Sequence, residues 1–202
     1  GSERHKGNPK KLDQLKEIFH NYHKSFPSET LVFKPKNANI FIFGLDKAGK
    51  TTIIRALQNK IFEEKTPPTI SMDISKILIQ NLQIMVYDAP GQSRFRSLWT
   101  PQLNNQHGLV FVLDVTDKER YQEAKEALQS ILTHDDASSL PLMILFNKVD
   151  LLPKVKMKSI LKEIANGHLK GRNYKLFPTS GLTGEGVVKS FTWLAGELTN
   201  IG

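Results

Sequence analysis

The run Gly44-Leu45-Asp46-Lys47-Ala48-Gly49-Lys50-Thr51 fits the pattern G-x-x-x-x-G-K-[ST] with no mismatch, a spacing suited to holding phosphate. Its glycines let backbone N–H groups wrap a β-phosphate, and a helix starting there adds positive potential. Lys50 would bridge the β- and γ-phosphates, and the Thr51 hydroxyl would bind Mg²⁺. Further on, Asp88-Ala89-Pro90-Gly91 sets a carboxylate where it can hold Mg²⁺ through water, with the Gly91 N–H placed to sense a γ-phosphate. Asn147-Lys148-Val149-Asp150 offers an aspartate able to accept from the N1–H and 2-amino group of guanine, a donor pair that adenine lacks. Ser180-Gly181-Leu182 could present a backbone N–H to guanine O6. Each short string alone is a weak signal. Their order is a strong one, because each follows a strand-like run and ligands of open α/β sheets bind where strands end.

Those strings need a scaffold, and the hydrophobic pattern describes one. Ile40–Phe43, Leu109–Leu113 and Leu142–Phe146 are unbroken apolar runs, as expected of parallel strands covered on both faces. Ile53, Ile54, Leu57 and Ile61 keep helical spacing, as do Tyr121, Ala124, Leu128 and Ile131 behind a capping-box pattern of Thr116 and Glu119. Val187, Phe191, Leu194 and Leu198 mark a last helix. Met72–Ile79 and Leu82–Tyr87 are separated only by Gln80 and Asn81, which predicts a hairpin and one antiparallel edge on an otherwise parallel sheet.

The 202 residues suffice for one full α/β domain. With 39% apolar residues and 13 Gly and 10 Pro scattered along the chain, disorder and low complexity are excluded. Absence of Cys removes disulfides, thiolate zinc sites and acceptors for palmitate or prenyl groups, and weakly suggests a reducing, cytoplasmic setting. No apolar stretch is long enough to span a membrane. The net charge is +8, and residues 1–36 carry half of that excess. There, Leu12, Leu15, Phe19, Tyr22 and Phe26 step by three and four with Ile18 beside them, behind Asn8 as cap and Pro9 at the first helical position. Lys10, Lys11, Lys16 and Lys24 make that predicted helix basic. Residues 9–26 could therefore lie on an anionic membrane or pack permanently on the domain. Gly1–Ser2 reads as a tag remnant, and residues 1–37 as tag remnant, helix and connector before a domain spanning 38–202.

The chain resembles the Ras-like small GTPases, and within them the ADP-ribosylation factor (Arf) and Arf-like branch. The run from Gly44 to Thr52 is close to that branch's G-L-D-x-A-G-K-T-T, and Pro68-Thr69-Ile70 looks like its switch I. Asp88 through Gln92, followed by Arg96-Ser97-Leu98-Trp99, is similar to its switch II. Gly108–Val112, Asp117-Lys118-Glu119-Arg120 and Leu182–Val187 extend the likeness over residues 38–198. The resemblance implies a P-loop fold with a six-stranded, mostly parallel sheet, one antiparallel strand and helices on both faces. It also implies phosphate contacts from Gly44, Asp46, Lys47, Ala48, Gly49, Lys50, Thr51, Thr52 and Gly91, and guanine contacts from Asn147, Lys148, Asp150, Ser180, Gly181 and Leu182. Mg²⁺ would be held by Thr51, Thr69 and, through water, Asp88, while Gln92 would orient the attacking water. Met72–Tyr87 would be an interswitch hairpin that slides in register when GTP binds.

Three residues depart from the branch. Pro90 stands where a small residue is usual; it is either tolerated, since the position needs no N–H and Gly91 is intact, or it stiffens the start of switch II. Ser71 follows P-T-I, and Gly181 replaces an alanine. Arg94 and Arg96 are expected on a partner-binding or solvated face rather than as an internal arginine finger. Trp99 is expected in the hydrophobic patch between the switches and Trp193 in the packing of the last helix. The six histidines show no metal-ligand spacing.

The resulting expectation is a monomeric GDP/GTP- and Mg²⁺-binding switch that hydrolyses GTP slowly. Regions 62–75 and 88–103 would meet an exchange factor, an activating protein and effectors, with peripheral membrane recruitment in the GTP state. A nucleotide-bound module with little hydrolysis is the alternative, and a nucleic-acid binder lacks any supporting motif.

Overall fold

Side chains alternate between two apolar layers along every central strand of the computed structural model, which describes residues 36–60, 73–152, 154–165 and 167–199. The first strand, β1 (Lys36–Phe43), sends Phe41 and Phe43 to one face and Ile40 and Ile42 to the other. β4 (Gly108–Asp114) divides Leu109, Phe111 and Leu113 from Val110 and Val112, and β5 (Leu142–Asn147) divides Leu142, Ile144 and Phe146 from Met143 and Leu145. The unbroken apolar runs are thus explained by burial on both faces.

Helices cover those faces in pairs. On the Phe43 face lie α2 (Tyr121–Leu132) and α3 (Met157–Ala165), whose Tyr121, Ala124, Leu128, Ile131 and Ile164 join one core cluster. On the other lie α1 (Lys50–Lys60) and α4 (Val187–Thr199), through Ile53, Ile54, Leu57, Val187, Phe191, Leu194 and Leu198. Trp193 of α4 packs against that second cluster, with its ring 5.9 Å from Phe177.

The hairpin expected around Gln80 and Asn81 is present. β2 (Asp73–Ile79) pairs antiparallel with β3 (Leu82–Asp88), closing on Ile79 opposite Leu82, and Gln80 takes a positive φ of 55° without being glycine. With β6 (Tyr174–Thr179), the strand order is β2-β3-β1-β4-β5-β6, and every pair except β2–β3 is parallel. The loops leaving β1, β3, β4, β5 and β6 therefore gather at one edge of the sheet. β1 begins at Lys36, two residues before the expected domain start. The predicted helix over 9–26, Thr69, Ser71 and most of the region 62–75 lie outside the described residues.

One local expectation fails. The capping box of Thr116 and Glu119 does not form, because Asp114 is the nearer acceptor. The N–H and hydroxyl of Thr116 both donate to Asp114 Oδ1, at 2.9 and 2.6 Å, in an Asx-type turn. α2 is entered instead through a 3₁₀ turn, Lys118–Arg120, without a side-chain cap. Trp99, expected in the hydrophobic patch between the switches, is part of a core cluster. It is fully buried, edge-on to Phe43 with ring centroids 5.6 Å apart. Such depth is tolerable because its indole N–H donates to Pro90 O at 2.9 Å.

That tether can be measured. Trp99→Phe keeps most of the apolar contact but strands the Pro90 carbonyl, and should cost about 1–3 kcal/mol in urea unfolding. Trp99→Ala should cost about 3–5 kcal/mol. A Phe variant as stable as the parent would show that the indole hydrogen bond contributes nothing.

Candidate nucleotide-binding site

At the gathered edge, the loop between β1 and α1 is shaped by its glycines. Gly44 has φ +140° and Gly49 φ +96°, and a Cβ on either would come within 2.3 Å of Val112 O or of Asn147 Nδ2. Lys47 also takes a positive φ of 61°. The first helical bond runs from Ile53 N–H to Gly49 O at 2.9 Å. The N–H groups of Lys50, Thr51 and Thr52 therefore point out of the helix end, toward the place where an anion is favoured.

The Lys50 ammonium is buried and folded back on its own loop, donating to Gly44 O at 3.0 Å and Leu45 O at 2.9 Å. Burial pushes its pKa below the ordinary lysine value, against the pull of Asp88 and Asp46. Asp88 ends β3, also buried. Burial pushes its carboxyl above the usual range, despite the Thr51 hydroxyl and the Lys50 charge. Thr51 Oγ1 donates to Asp88 Oδ2 at 2.7 Å, whereas Asp88 Oδ1 is buried with no hydrogen-bond partner. A hydroxyl and a carboxylate with an unspent buried oxygen are hard donors of the kind that Mg²⁺ takes, commonly with several waters retained. The residues present fit that ion. Among the described residues, no group of three or more His, Cys, Asp or Glu gathers to hold a metal. His107 ties β1 to β4: Asn39 N–H donates to its Nδ1 at 2.9 Å, and its own N–H donates to Asn39 O at 2.8 Å.

Gly91 lies directly on the phosphate loop. A Cβ there would stand 2.2 Å from Asp46 N and 2.4 Å from Leu45 C, so only glycine permits the approach. The next residue, Gln92, is exposed, and its side-chain carbonyl accepts from Arg94 Nε at 3.0 Å. Arg96 is not on a solvated face. It pairs with Glu123, and its Nη2 also lies 3.4 Å from Gly91 O.

On the base side, Asn147 is buried at 2% exposure and both ends of its amide are occupied. Nδ2 donates to Ala48 O at 2.8 Å, and Oδ1 accepts from Gly181 N–H at 2.9 Å and Thr179 Oγ1 at 3.4 Å. One side chain thus joins the phosphate loop to the loop after β6. Gly181 sits close to α1, where a Cβ would meet Ile53 N at 3.1 Å. With the Gly181 amide committed to Asn147, the neighbouring Leu182 N–H has no partner among the described residues, beside a side chain 80% exposed. Ser180 is buried, its hydroxyl accepting from Thr183 N–H at 3.1 Å.

Lys148 takes a positive φ of 69° and donates from Nζ to Asp114 Oδ2 at 2.5 Å. Burial pushes the Asp114 carboxyl up, but Lys148 and Thr116 together hold it below the usual range. Asp150, in the 3₁₀ turn Val149–Leu151, is exposed and has no hydrogen-bond or ion-pair partner among the described residues. Of the residues expected to touch nucleotide or Mg²⁺, Thr69 lies outside the described residues. Sequence reasoning assigned no role to Arg120, Glu123 or Asp114, because the partners that tie them to the site, Asp46, Arg96 and Lys148, lie 27 to 74 residues away along the chain.

Known proteins with this arrangement are numerous. A model of the ADP-ribosylation factor family matches residues 27–198. ADP-ribosylation factor-like protein 3 of Saccharomyces cerevisiae is 34% identical over 170 residues, covering 80% of this chain and 85% of its own length. ADP-ribosylation factor K of Dictyostelium discoideum is 30% identical over 188 residues, covering 92% and 99%. Among solved structures, the Arl6 (BBS3) small GTPase of Trypanosoma brucei with bound GppNp superposes with a TM-score of 0.72 at 24% identity, covering 83% of this chain and all of that one. From the phosphate loop to the last helix, the chain belongs to the ADP-ribosylation factor family: it is an Arf-like small GTPase, a nucleotide-dependent switch that hydrolyses GTP.

Proposed function

We propose that GDP and GTP occupy the edge where the β1, β3, β5 and β6 loops converge, with the residue roles that the sequence suggests. The observation carrying this reading is the double tie of Asn147, which holds the phosphate loop and the base loop at a fixed separation. The β- and γ-phosphates would displace the Gly44 and Leu45 carbonyls from Lys50 and take the open N–H groups of Lys50, Thr51 and Thr52, with Asp46, Lys47, Ala48 and Gly49 shaping the cradle. Thr51, Thr69 and Asp88, the last through water, would hold Mg²⁺, which neutralises phosphate charge when bound. Asp150 would accept from guanine N1–H and the 2-amino group, and Leu182 N–H would face O6 with Ser180 and Gly181 supporting the loop. The stem of Lys148 would flank the base.

Base choice is the direct test. Asp150→Asn loses the acceptor for the 2-amino group and should shift preference from guanine toward xanthine nucleotides by about 10²-fold or more, read by competition against a fluorescent GDP. A parent protein binding ATP as tightly as GTP would remove the base-site assignment.

Gln92 would orient the attacking water, which requires its side-chain carbonyl to leave Arg94. Arg96 is paired with Glu123 and therefore not free to serve as a finger. Slow unaided hydrolysis follows: Ras-type turnover is about 10⁻⁴ s⁻¹, and an external arginine raises it about 10⁵-fold. In single-turnover assays Gln92→Leu should lower even that residual rate. Turnover near ~1 s⁻¹ without a partner would contradict the external-arginine reading.

Regions 62–75 and 88–103 would meet the exchange factor, activating protein and effectors. Phe95 and Leu98, both exposed in the turn Ser93–Leu98, support an apolar docking surface there. Recruitment to an anionic membrane through residues 9–26 in the GTP state, from the cytoplasm, rests on the stripe of Leu12, Leu15, Ile18, Phe19, Tyr22 and Phe26 with its flanking lysines. Apolar burial at about 25 cal/mol per Å² and roughly 1 kcal/mol per basic residue would suffice for reversible binding. Co-sedimentation with anionic liposomes should be stronger with GppNp than with GDP, weakened by salt, and lost on removing residues 1–26. Equal binding in both states would instead make the segment a constitutive anchor.

A further inference from the structure

Three charged side chains outside the nucleotide cradle, Arg96, Glu123 and Arg120, close a circuit with Asp46 and Gly91. Arg120 Nη2 donates to Asp46 Oδ1 at 2.7 Å and Nη1 to Asp46 O at 3.3 Å, while its Nε donates to Glu123 Oε2 at 2.6 Å. The second oxygen of Glu123 accepts from Arg96 Nη2, which also reaches the Gly91 carbonyl. Asp46 and Gly91 are the two ends of this chain, and they are also the two residues whose backbones touch. Asp46, Arg120, Glu123, Arg96 and Gly91 thus make a ring around the point where the start of switch II rests on the phosphate loop.

The charges alternate along the ring and cancel. Arg120 first, and Arg96 with it, hold the Glu123 carboxyl at about 2. Three of the side chains are about a third exposed and Arg96 is 18% exposed, so water reaches the ring without filling it. Glu123 stands in the first turn of α2, whose Tyr121, Ala124 and Leu128 are locked into the core. A carboxylate on so rigid a support can fix two guanidinium groups that are otherwise long and flexible. The four side chains come from three separate segments, 46, 96 and 120–123.

We propose that Glu123 is a positioning residue that seats Gly91 on the phosphate loop, acting through Arg96 on one side and Arg120 on the other, and so favours the triphosphate over the diphosphate. This rests on the reading of Gly91 as the γ-phosphate sensor. The two arms differ in what they serve. Arg120 orders Asp46, in the loop used by both nucleotides, and keeps that bond when Glu123 is removed. Arg96 orders Gly91, whose position matters only when a γ-phosphate is present. Loss of Glu123 therefore falls mainly on the triphosphate state.

The test measures dissociation of fluorescent GDP and fluorescent GppNp, with Mg²⁺, from the full chain and its variants. Glu123→Ala is expected to speed loss of GppNp about tenfold while changing GDP less than about twofold. Glu123→Gln, able to accept from one guanidinium at a time, should fall between. Arg96→Ala and Arg120→Ala should depart from independent, multiplicative effects on GppNp release by at least about threefold, and that departure should vanish when Glu123 is alanine. Should Glu123→Ala fail to fold, Glu123→Gln and the arginine cycle carry the same comparison. Equal effects of Glu123 variants on both nucleotides, no effect on either, or independent arginine effects would overturn the proposal while leaving the nucleotide site intact. A parent protein holding neither nucleotide would overturn the reading beneath it, and the proposal with it.

Discussion

A sheet buried on both faces can act on a ligand only where its strands end. In this chain the central strands β1, β4 and β5 spend nearly every side chain on one of two apolar layers, so none is left to make chemistry along their length. Parallel pairing then sends every exit loop but that of the hairpin to the same edge. The polar residues of the site are a consequence of that constraint. Lys50, Asp88 and Asn147 are buried because they stand at the last positions before the apolar layers begin, and each needs a partner for that reason.

Those partners divide the edge into settled and unsettled parts. Asn147 spends both ends of its amide on protein, and the Thr179 hydroxyl and the Gly181 N–H are spent on it, so the tie between the two loops is satisfied without a ligand. Asp88 Oδ1, the exposed Asp150 carboxylate and the first-turn N–H groups of α1 are not. A framework complete in itself, holding unsatisfied groups in fixed places, is what preorganisation for an anionic, hydrogen-bonding ligand requires.

Much of this was legible in the chain. Burial on two faces is written in the unbroken runs at 40–43, 109–113 and 142–146, and the hairpin in the two-residue gap at Gln80 and Asn81. The loop glycines at 44 and 49 announce backbone approaches that the structure realises against Val112 and Asn147. What could not be read are the contacts between distant segments. The acceptor that lets Trp99 be wholly buried, Pro90 O, lies nine residues away and leaves no mark on the pattern, and Thr116 looks like a helix cap until Asp114 is found closer. Arg96 resembles any solvated arginine of a surface turn, because its carboxylate partner lies 27 residues further on. Periodicity reports which face is apolar, but says nothing of which polar groups meet.

The folded-back Lys50 bears on how tightly such a site can hold anything. Its ammonium already has two carbonyl oxygens from its own loop, so an arriving phosphate replaces one set of oxygen neighbours with another instead of rescuing a bare charge. Affinity contributed by this lysine is the difference between two well-made coordination shells. The emptied loop also has a resting arrangement to return to: its most buried cation never lacks a neighbour, and departure of the ligand leaves no stranded charge behind.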